Sequence, residues 1–316
     1  MKPIEANTTA FVFPGQGSQS LGMGYDLATE FASANALFSK ADALLEYPLS
    51  KICWEGPLDK LNDTQYTQPA LFVHSIATLT VLKQKLLYFT PKFVAGHSMG
   101  EITALVAADV ISFEDGLNLV QHRGRLMKKS GELNPGGMAA ILGLDIKALE
   151  EICEQVSRTG NLVQVANDNC PGQIVISGTK SGINFAMEEA KKRGAKKTIP
   201  LAVSIAAHSP IMAPAKNEFK KIINGLTFRD AKIAIVGNVC HTAMISAEEI
   251  KYDIKEQLTS PVYWTDSIKY MIENGIENFI EIGNGTVLAG LIKRIDSSVN
   301  VISIGAPSDF TKLDAV

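Results

Sequence analysis

Ser98 stands in the middle of residues 96–100 (GHSMG), directly after a short apolar run. The G-x-S-x-G spacing between a strand and a helix is typical of a turn on which glycines let the chain reverse sharply and present a serine hydroxyl. A helix beginning there leaves N–H groups free, above all that of Met99, to stabilise an oxyanion. The pattern predicts covalent acyl chemistry on Ser98, and a glycine-flanked turn with an incidental serine is the structural alternative.

His208 is the histidine whose neighbours best fit a general base. The small residues Ala206 and Ala207 leave room beside its ring, and Ser209-Pro210 is typical of an N-cap followed by proline at the first helical position. A histidine just outside a helix N-terminus faces the positive end of the helix dipole, which favours the neutral imidazole that a base needs. An ordinary buried histidine is the alternative.

The sequence around the other four histidines gives weaker evidence of a catalytic role. His97 adjoins Ser98 on a tight turn, so we expect it to point elsewhere and to support the turn. His74, His122 and His241 lie in helical or loop contexts with no further signal, and we expect solvated or core roles for them.

Arg123 interrupts an apolar helical stripe formed by Leu119, Val120 and Met127. A guanidinium on such a face stays charged and needs an anionic partner, and its planar fork suits a carboxylate. A carboxylate on a substrate would satisfy it. The alternatives are an ion pair with an acid such as Glu101, or a side chain that reaches solvent.

Residues 14–20 (PGQGSQS) form a glycine loop after a predicted strand. The third glycine of a dinucleotide-binding loop is missing at the required spacing, and so is the acidic residue that would follow it. We expect this loop to bring the Gln16 amide and backbone donors towards the active-site cleft, with a purely structural turn as the alternative.

Composition and charge narrow the class of protein. The 316 residues are 46% hydrophobic and 20% charged, with a formal net charge of -3, so the chain lacks the basic surface of a nucleic-acid or membrane binder. The four cysteines are scattered without metal-ligand spacing, and no apolar run is long enough to span a bilayer. We therefore expect a cytoplasmic protein in solution, without a metal site.

The elements that must position these side chains alternate between strands and helices, which predicts an α/β fold with a parallel sheet. Beyond residue 134 the pattern changes to β-α-β-β-α-β, the ferredoxin-like order. We predict a large domain over 1–134 and 204–316, an inserted subdomain over 135–203, and a ligand cleft between them. The predicted strands are 9–13, 93–95, 138–144, 162–165, 173–177, 195–199, 232–236 and 279–282, and the predicted helices are 25–45, 67–87, 101–108, 113–129, 146–158 and 180–193.

The chain resembles the malonyl-CoA:acyl carrier protein transacylases from residue 11 to about residue 295. Six motifs in the same order make this resemblance specific. They are residues 13–19 (FPGQGSQ), 96–101 (GHSMGE), 121–124 (QHRG), 166–169 (ANDN) with 171–173 (PGQ), 208–212 (HSPIM) and 281–283 (EIG).

The resemblance implies a hydrolase-like α/β core with a ferredoxin-like insert, and a role for each matching residue. Ser98 would be the acylated nucleophile, His208 its base, and Arg123 the partner of the malonyl carboxylate. It further implies an oxyanion hole made by Gln16 and the Met99 N–H, and a backbone carbonyl at Gln257 that orients the base. His97 and Asn167 in the matched motifs join the substrate-binding residues.

The implied reaction is malonyl transfer from malonyl-CoA to the thiol of an acyl carrier protein in fatty acid synthesis, by a monomer without a cofactor. Cys170 replaces the usual serine, and residues 205–207 (IAA) match neither known signature for malonyl or methylmalonyl. Three alternatives remain: a trans-acting acyltransferase of a polyketide synthase, a serine hydrolase or thioesterase, and a carrier-binding module without catalysis.

Overall fold

The computed structural model describes residues 4–315, which form two β-sheets with helices packed against both. The strands are β1 (Thr9–Phe13), β2 (Phe93–Gly96), β3 (Gly137–Leu142), β4 (Val163–Cys170), β5 (Gln173–Gly178), β6 (Lys197–Pro200), β7 (Ala234–Val236), β8 (Ala243–Met244), β9 (Asn278–Ile282) and β10 (Asn300–Ile304).

The helices pack against both sheets and connect most of the strands. They are α1 (Tyr25–Glu30), α2 (Ala32–Leu45), α3 (Leu49–Trp54), α4 (Leu58–Asn62), α5 (Thr64–Lys85), α6 (Gly100–Ala107), α7 (Phe113–Leu133), α8 (Ile146–Ser157), α9 (Lys180–Lys192), α10 (Ala213–Asn224), α11 (Ala247–Glu256), α12 (Trp264–Glu273) and α13 (Val287–Ile295). Short 3-10 helices span Ala6–Thr8, Pro210–Met212 and Pro307–Ala315.

The large sheet has the strand order β10-β9-β1-β2-β7-β8. Its first five strands are parallel, and β8 returns antiparallel beside β7. The central strand β1 is buried along its whole length, with Phe11 and Phe13 in one apolar cluster and Ala10 and Val12 in another. This alternation shows that both faces of the sheet are covered, as is usual for parallel strands.

The second sheet has the order β4-β5-β3-β6 and is antiparallel throughout. Its strands and the helices α8 and α9 follow one another as β-α-β-β-α-β and enclose a separate apolar cluster that includes Ile141, Ile152 and Ile183. The predicted fold class, a parallel α/β core with a ferredoxin-like unit, is confirmed. The division of the chain at residues 134 and 203 stays a prediction.

The two sheets are joined through the end of β4. Asp168 N donates to Val262 O at 3.0 Å, and Val262 N donates to Ala166 O at 2.8 Å. The predicted strand stopped at Val165, whereas β4 continues to Cys170. Because of this extension, residues 166–170 run from the small sheet to the elements around the nucleophile turn.

One predicted helix, over residues 25–45, is two helices in the structure. The chain is extended at Phe31, with φ -119° and ψ 114°, so α1 ends and α2 begins there. The Phe31 ring packs edge-on against Phe310 at 5.8 Å between centroids, a contact with the far end of the chain. The predicted helix over residues 113–129, which carries Arg123, is α7. It runs to Leu133, four residues further than predicted.

Candidate active site

Ser98 occupies the turn between β2 and α6, with its backbone in the left-handed region at φ 52°. Such a conformation costs roughly 1–2 kcal/mol for a residue with a side chain, so the surrounding structure must maintain it. A Cβ atom added at Gly96 or at Gly100 would collide with backbone atoms, which explains the two flanking glycines. The turn presents the Ser98 hydroxyl at the carboxyl end of the central parallel strands.

His208 contacts the Ser98 hydroxyl directly, with Nε2 and Oγ 2.8 Å apart. On the other side of the ring, Nδ1 lies 2.9 Å from Gln257 O and 3.2 Å from Ser260 O. Since carbonyl oxygens can only accept hydrogen bonds, Nδ1 carries the ring proton, and its N–H donates to these carbonyls. Nε2 is therefore the free acceptor for the Ser98 O–H, which is the arrangement of a general base.

The His208 imidazole is neutral, as predicted, but for a different reason. Burial of the ring, which is 3% exposed, and then the positive charge of Arg123 lower the pKa of His208 to about 3. The predicted Ser209 side-chain cap is wrong, because Ser209 Oγ donates to Ala206 O at 2.7 Å. The chain continues as the short 3-10 helix with Pro210 at its first position, so burial, not the helix end, keeps the ring uncharged.

Arg123 extends from α7 to the nucleophile and is 1% exposed. Its Nη2 donates to Ser98 Oγ at 3.1 Å and to Gln257 Oε1 at 2.8 Å, and Nη1 donates to Gln68 Oε1 at 3.1 Å. Its Nε finds no partner among the described residues. Burial lowers the pKa of Arg123 to about 10 against the opposing effect of Glu101, so the group is still a cation at neutral pH.

No ion pair joins Arg123 to Glu101; the Gln257 amide lies between them. Gln257 Oε1 accepts from Arg123, while its Nε2 donates to Glu101 Oε2 and, at 2.9 Å, to Ser98 O. Among the described side chains, those of residues 4–313, the guanidinium therefore contacts only uncharged oxygens. A buried cation in this setting is well suited to pair with a carboxylate brought by a ligand.

Glu101 and Asp253, each 1% exposed, form a buried carboxyl pair behind the nucleophile turn. The Asp253 carboxylate accepts from the backbone N–H of Cys240 at 2.8 Å and of Val239 at 3.3 Å. Burial, and then the charge of Asp253, raise the pKa of Glu101 well above its usual range. The raised pKa favours the protonated form of Glu101 beside Asp253.

A cavity of about 340 Å³ opens above these groups and is lined by Ser98, His208 and Arg123. Part of its wall is apolar, with Met127, Met138, Val175, Leu201, Val203 and Ile205. A larger cavity, of about 790 Å³, lies between α1 and the last 3-10 helix and is lined by none of the predicted site residues. We assign the chemistry to the smaller cavity, because the hydroxyl, the imidazole and the guanidinium all face it.

The two predicted oxyanion donors lie near this cavity. The Met99 N–H, at the start of α6, has no acceptor among the described backbone and side-chain groups. The Gln16 side chain lines the cavity and donates from Nε2 to Thr64 Oγ1 at 3.1 Å. Gln16 must therefore exchange that bond, or add its second N–H, to reach a developing oxyanion.

His97 and Asn167 also line the cavity. His97 Nε2 lies 2.8 Å from Asn169 Oδ1, and its ring packs edge-on against Trp264 at 5.5 Å. Burial lowers the pKa of His97, so this ring is neutral as well. Asn167 lies in β4, where it forms a bridge with Val262. All eight predicted residues thus meet around one turn, with Gln257 behind His208.

Sequence reasoning missed Gln68 and Asn238. Gln68, on α5, is buried and accepts from Arg123, and it interrupts an apolar helix just as Arg123 does. Asn238 follows β7 and accepts the Ser98 N–H through Oδ1 at 2.7 Å. Its place two residues after a parallel strand was the only signal in the sequence, because ligand and catalytic groups collect at that edge of a sheet.

Two features of the described residues bear on other classes of function. Among the side chains that the structure describes, those of residues 4–313, no three His, Cys, Asp or Glu residues are grouped so that they could hold a metal ion. None of the helices in the described part of the chain combines the length and the hydropathy required to cross a bilayer.

Comparison with known proteins gives a consistent result. The family model described as "Acyl transferase domain" matches residues 10–304. The malonyl CoA-acyl carrier protein transacylase of Bacillus subtilis (strain 168) is 45% identical over 298 residues, which are 94% of this chain and 93% of the relative. The enzyme of the same name from Staphylococcus aureus (strain MW2) is 42% identical over 301 residues, 95% of this chain and 96% of the relative.

Solved structures agree in fold. An acyl carrier protein S-malonyltransferase from Vibrio cholerae superimposes with a TM-score of 0.93 at 38% identity, covering 97% of this chain and 100% of that one. A malonyl-transacylase solved in complex with its type II polyketide synthase acyl-carrier protein superimposes with a TM-score of 0.93 at 38% identity. The match covers 97% of this chain and 99% of that one.

Proposed function

This chain belongs to the acyl transferase domain family, among the malonyl CoA-acyl carrier protein transacylases, and we propose that it moves a malonyl group from malonyl-CoA to the phosphopantetheine thiol of an acyl carrier protein, for fatty acid synthesis. One observation supports this proposal above the rest. The Ser98 hydroxyl lies 2.8 Å from a neutral imidazole and 3.1 Å from a buried guanidinium that contacts none of the described carboxylates.

The first half-reaction forms an ester on Ser98. Oγ attacks the thioester carbonyl carbon while His208 Nε2 takes the hydroxyl proton, and the Met99 N–H and the Gln16 amide stabilise the resulting oxyanion. The carbon–sulfur bond then breaks, and His208 returns the proton to the sulfur of CoA. In the second half, the carrier thiol gives its proton to His208 and attacks the ester carbonyl carbon. The bond from that carbon to Oγ then breaks, and His208 returns the proton to Oγ, which restores Ser98 and leaves the malonyl group on the carrier. This order predicts ping-pong kinetics.

Arg123 supplies the selectivity for a carboxylated acyl group. In a malonyl ester the free carboxylate is separated from the ester carbonyl by a single carbon, so it stays close to Oγ and therefore close to Nη2. The guanidinium gives up contacts with neutral amide oxygens and gains a charged partner, which is a stronger hydrogen bond. An acetyl group offers no such exchange.

The base is oriented by carbonyl oxygens, not by a carboxylate. Gln257 O and Ser260 O fix the tautomer of His208 without adding negative charge, so the imidazole is a milder base than in a Ser-His-Asp triad. A milder base is enough for a thiol, which ionises more readily than water. We propose that this difference favours transfer over hydrolysis.

The substrates of this chain are accordingly malonyl-CoA and an acyl carrier protein, and the chemistry uses side chains and backbone groups of the chain, with no cofactor. The relative solved together with its acyl-carrier protein supports a protein acceptor. We further propose that the chain acts as a monomer, because every group invoked above comes from one polypeptide. The cytoplasmic location stays a prediction from the sequence.

Intact-mass measurement tests covalent catalysis and selectivity together. The protein is mixed in turn with malonyl-, methylmalonyl- and acetyl-CoA, and we expect one malonyl group on the wild-type chain and none on Ser98→Ala. The adduct must persist in buffer and disappear when a carrier protein with a free thiol is added. Absence of any adduct refutes the proposal, and an adduct lost to water before the thiol is added supports the hydrolase alternative.

The carrier's identity is a separate arm of that experiment. Transfer from the malonylated protein is timed with an acyl carrier protein of fatty acid synthesis and with one of a type II polyketide synthase. Faster transfer to the first supports the role in fatty acid synthesis, whereas faster transfer to the second supports the polyketide alternative.

A further inference from the structure

Asn238 is a fully buried side chain whose amide is bonded at both ends to the nucleophile turn. Its Oδ1 accepts the Ser98 N–H at 2.7 Å, and its Nδ2 donates to Gly96 O at 2.7 Å. Its own backbone N–H donates to Glu101 Oε1 at 3.2 Å, and its carbonyl accepts from Tyr263 N at 3.0 Å. Asn238 thus connects both sides of the turn to the segment that follows β7.

We infer that Asn238 is a positioning residue for acyl transfer, which sets the backbone of Ser98 so that its hydroxyl meets His208 and Arg123 together. This inference rests on the proposed function. The left-handed backbone at Ser98 is not one that a serine adopts by itself. Something must stabilise it, and the hydrogen bond to the Ser98 N–H acts on the peptide that defines this φ angle.

The chemistry of the two contacts requires a neutral amide. One backbone partner is a donor and the other is an acceptor, so the side chain must accept on one atom and donate on the other. A carboxylate would place a second acceptor against Gly96 O, and an aliphatic side chain would leave both backbone groups buried without partners. Asparagine meets both needs with a short, rigid side chain.

The same contact decides which backbone donor serves the oxyanion. Because the Ser98 N–H is already bonded to Asn238, it points away from the carbonyl under attack. The next N–H along the chain, that of Met99, has no acceptor among the described residues. Asn238 therefore orients the hydroxyl and, through the following peptide, the Met99 N–H, without touching the substrate.

Single-turnover acylation by malonyl-CoA tests this role in the full-length protein. In Asn238→Ala we expect the acylation rate to fall about 10- to 100-fold, as for a misplaced nucleophile, with the Kd for malonyl-CoA within about threefold of wild type. Asn278→Ala is the matched control: Asn278 is a buried asparagine of the same sheet, bonded to Thr8 Oγ1 away from the site. Its acylation rate should stay within about threefold of wild type.

Asn238→Asp keeps the shape and the acceptor, and it supplies a distinct readout. An ionised carboxyl cannot donate to Gly96 O, but a protonated one can, so its acylation rate should rise towards wild type as the pH is lowered from 8 to 5. Wild-type and Asn278→Ala rates should stay flat over that range. Circular dichroism at each pH confirms that each variant is folded.

Two results overturn the inference. One is an acylation rate in Asn238→Ala equal to that of Asn278→Ala, and the other is a defect confined to Kd. If Asn238→Ala does not fold, a rate for Asn238→Asp that does not change with pH overturns it instead. Failure of the wild-type protein to form any adduct refutes the proposed function itself, whereas normal wild-type labelling with unaffected Asn238 variants refutes only this inference.

Discussion

Arg123 Nη2 lies 3.1 Å from Ser98 Oγ, so the cation touches the nucleophile itself. The two residues come from different elements: Ser98 lies in the turn before α6, and Arg123 lies in the middle of α7. Any acyl group formed on Oγ is therefore in reach of the guanidinium. Selectivity and nucleophilic attack depend on the same pair of side chains.

Arg123→Ala should reduce malonyl transfer far more than acetyl transfer. Only malonyl has a second charge to pair, and loss of a buried charge-assisted contact costs about 2–5 kcal/mol, which is about 30- to 4,000-fold in kcat/KM. We expect acetyl transfer to fall by less than about tenfold, from the lost hydrogen bond to Oγ. Comparing kcat/KM for malonyl-CoA and acetyl-CoA measures the effect, and Arg123→Lys serves as the control that keeps the charge without the fork. Equal losses on both substrates would contradict the assigned role.

The rate of Ser98 acylation should not fall between pH 8 and pH 5. A base works in its deprotonated form, so activity is lost as the pH drops through the pKa of the folded protein, which for His208 is about 3 instead of the usual 6.5. Rapid-quench measurement of malonyl-enzyme formation at several pH values checks this. His208→Ala provides the background rate, and an acid limb centred near pH 6.5 in the wild type would show that the imidazole is solvated.

Gln257→Ala should separate the two functions of this residue. The contact with His208 is made by the backbone carbonyl, which an alanine retains, so the variant should keep the flat pH profile. The side chain contacts Arg123 and Ser98 O, and its loss should lower malonyl transfer about tenfold by releasing the guanidinium. Steady-state transfer assays measure the loss, with the exposed Gln155→Ala as control. Unchanged transfer would show that the Gln257 side chain is dispensable.

Much of the fold was predictable from local patterns. The run 9–13 indicated a buried strand, and β1 has those bounds; Ser112 was a plausible N-cap for α7, and its hydroxyl accepts from Asp115 N at 3.0 Å. Periodicity and capping depend on neighbours in the sequence, so the sequence is sufficient for them. The break at Phe31 was not predictable in this way, since its ring packs against Phe310.

The site residues also fall into two groups: those predictable from the local sequence, and those whose role depends on contacts with distant parts of the chain. Ser98 and Arg123 were predictable because each violates a local pattern, a serine on a glycine turn and a charge on an apolar stripe. The neutrality of His208 was predicted from a helix end, but it arises from burial by residues distant in sequence. Asn238 lies 140 residues from Ser98, and its role depends on a hydrogen bond that only the folded chain creates.

Glu101→Gln should flatten the dependence of stability on pH. The folded protein keeps a proton on Glu101 that the unfolded chain releases near pH 4.3, so the free energy of unfolding falls as the pH rises from there through the raised pKa. One such proton contributes a slope of about 1.4 kcal/mol per pH unit. Glutamine cannot lose a proton. Although it also loses one acceptor and lowers the absolute stability, the difference between the variant and the wild type should shrink as the pH rises from 5 towards the raised pKa of Glu101.

Urea unfolding at several pH values measures that difference. Glu154→Gln is the matched control, since it makes the same chemical change on the exposed face of α8, where Glu154 pairs with Arg158. The free energy of unfolding of this control, plotted against pH, should run parallel to that of the wild type. If the free energy of unfolding of Glu101→Gln also runs parallel to that of the wild type, Glu101 is ionised in the folded protein.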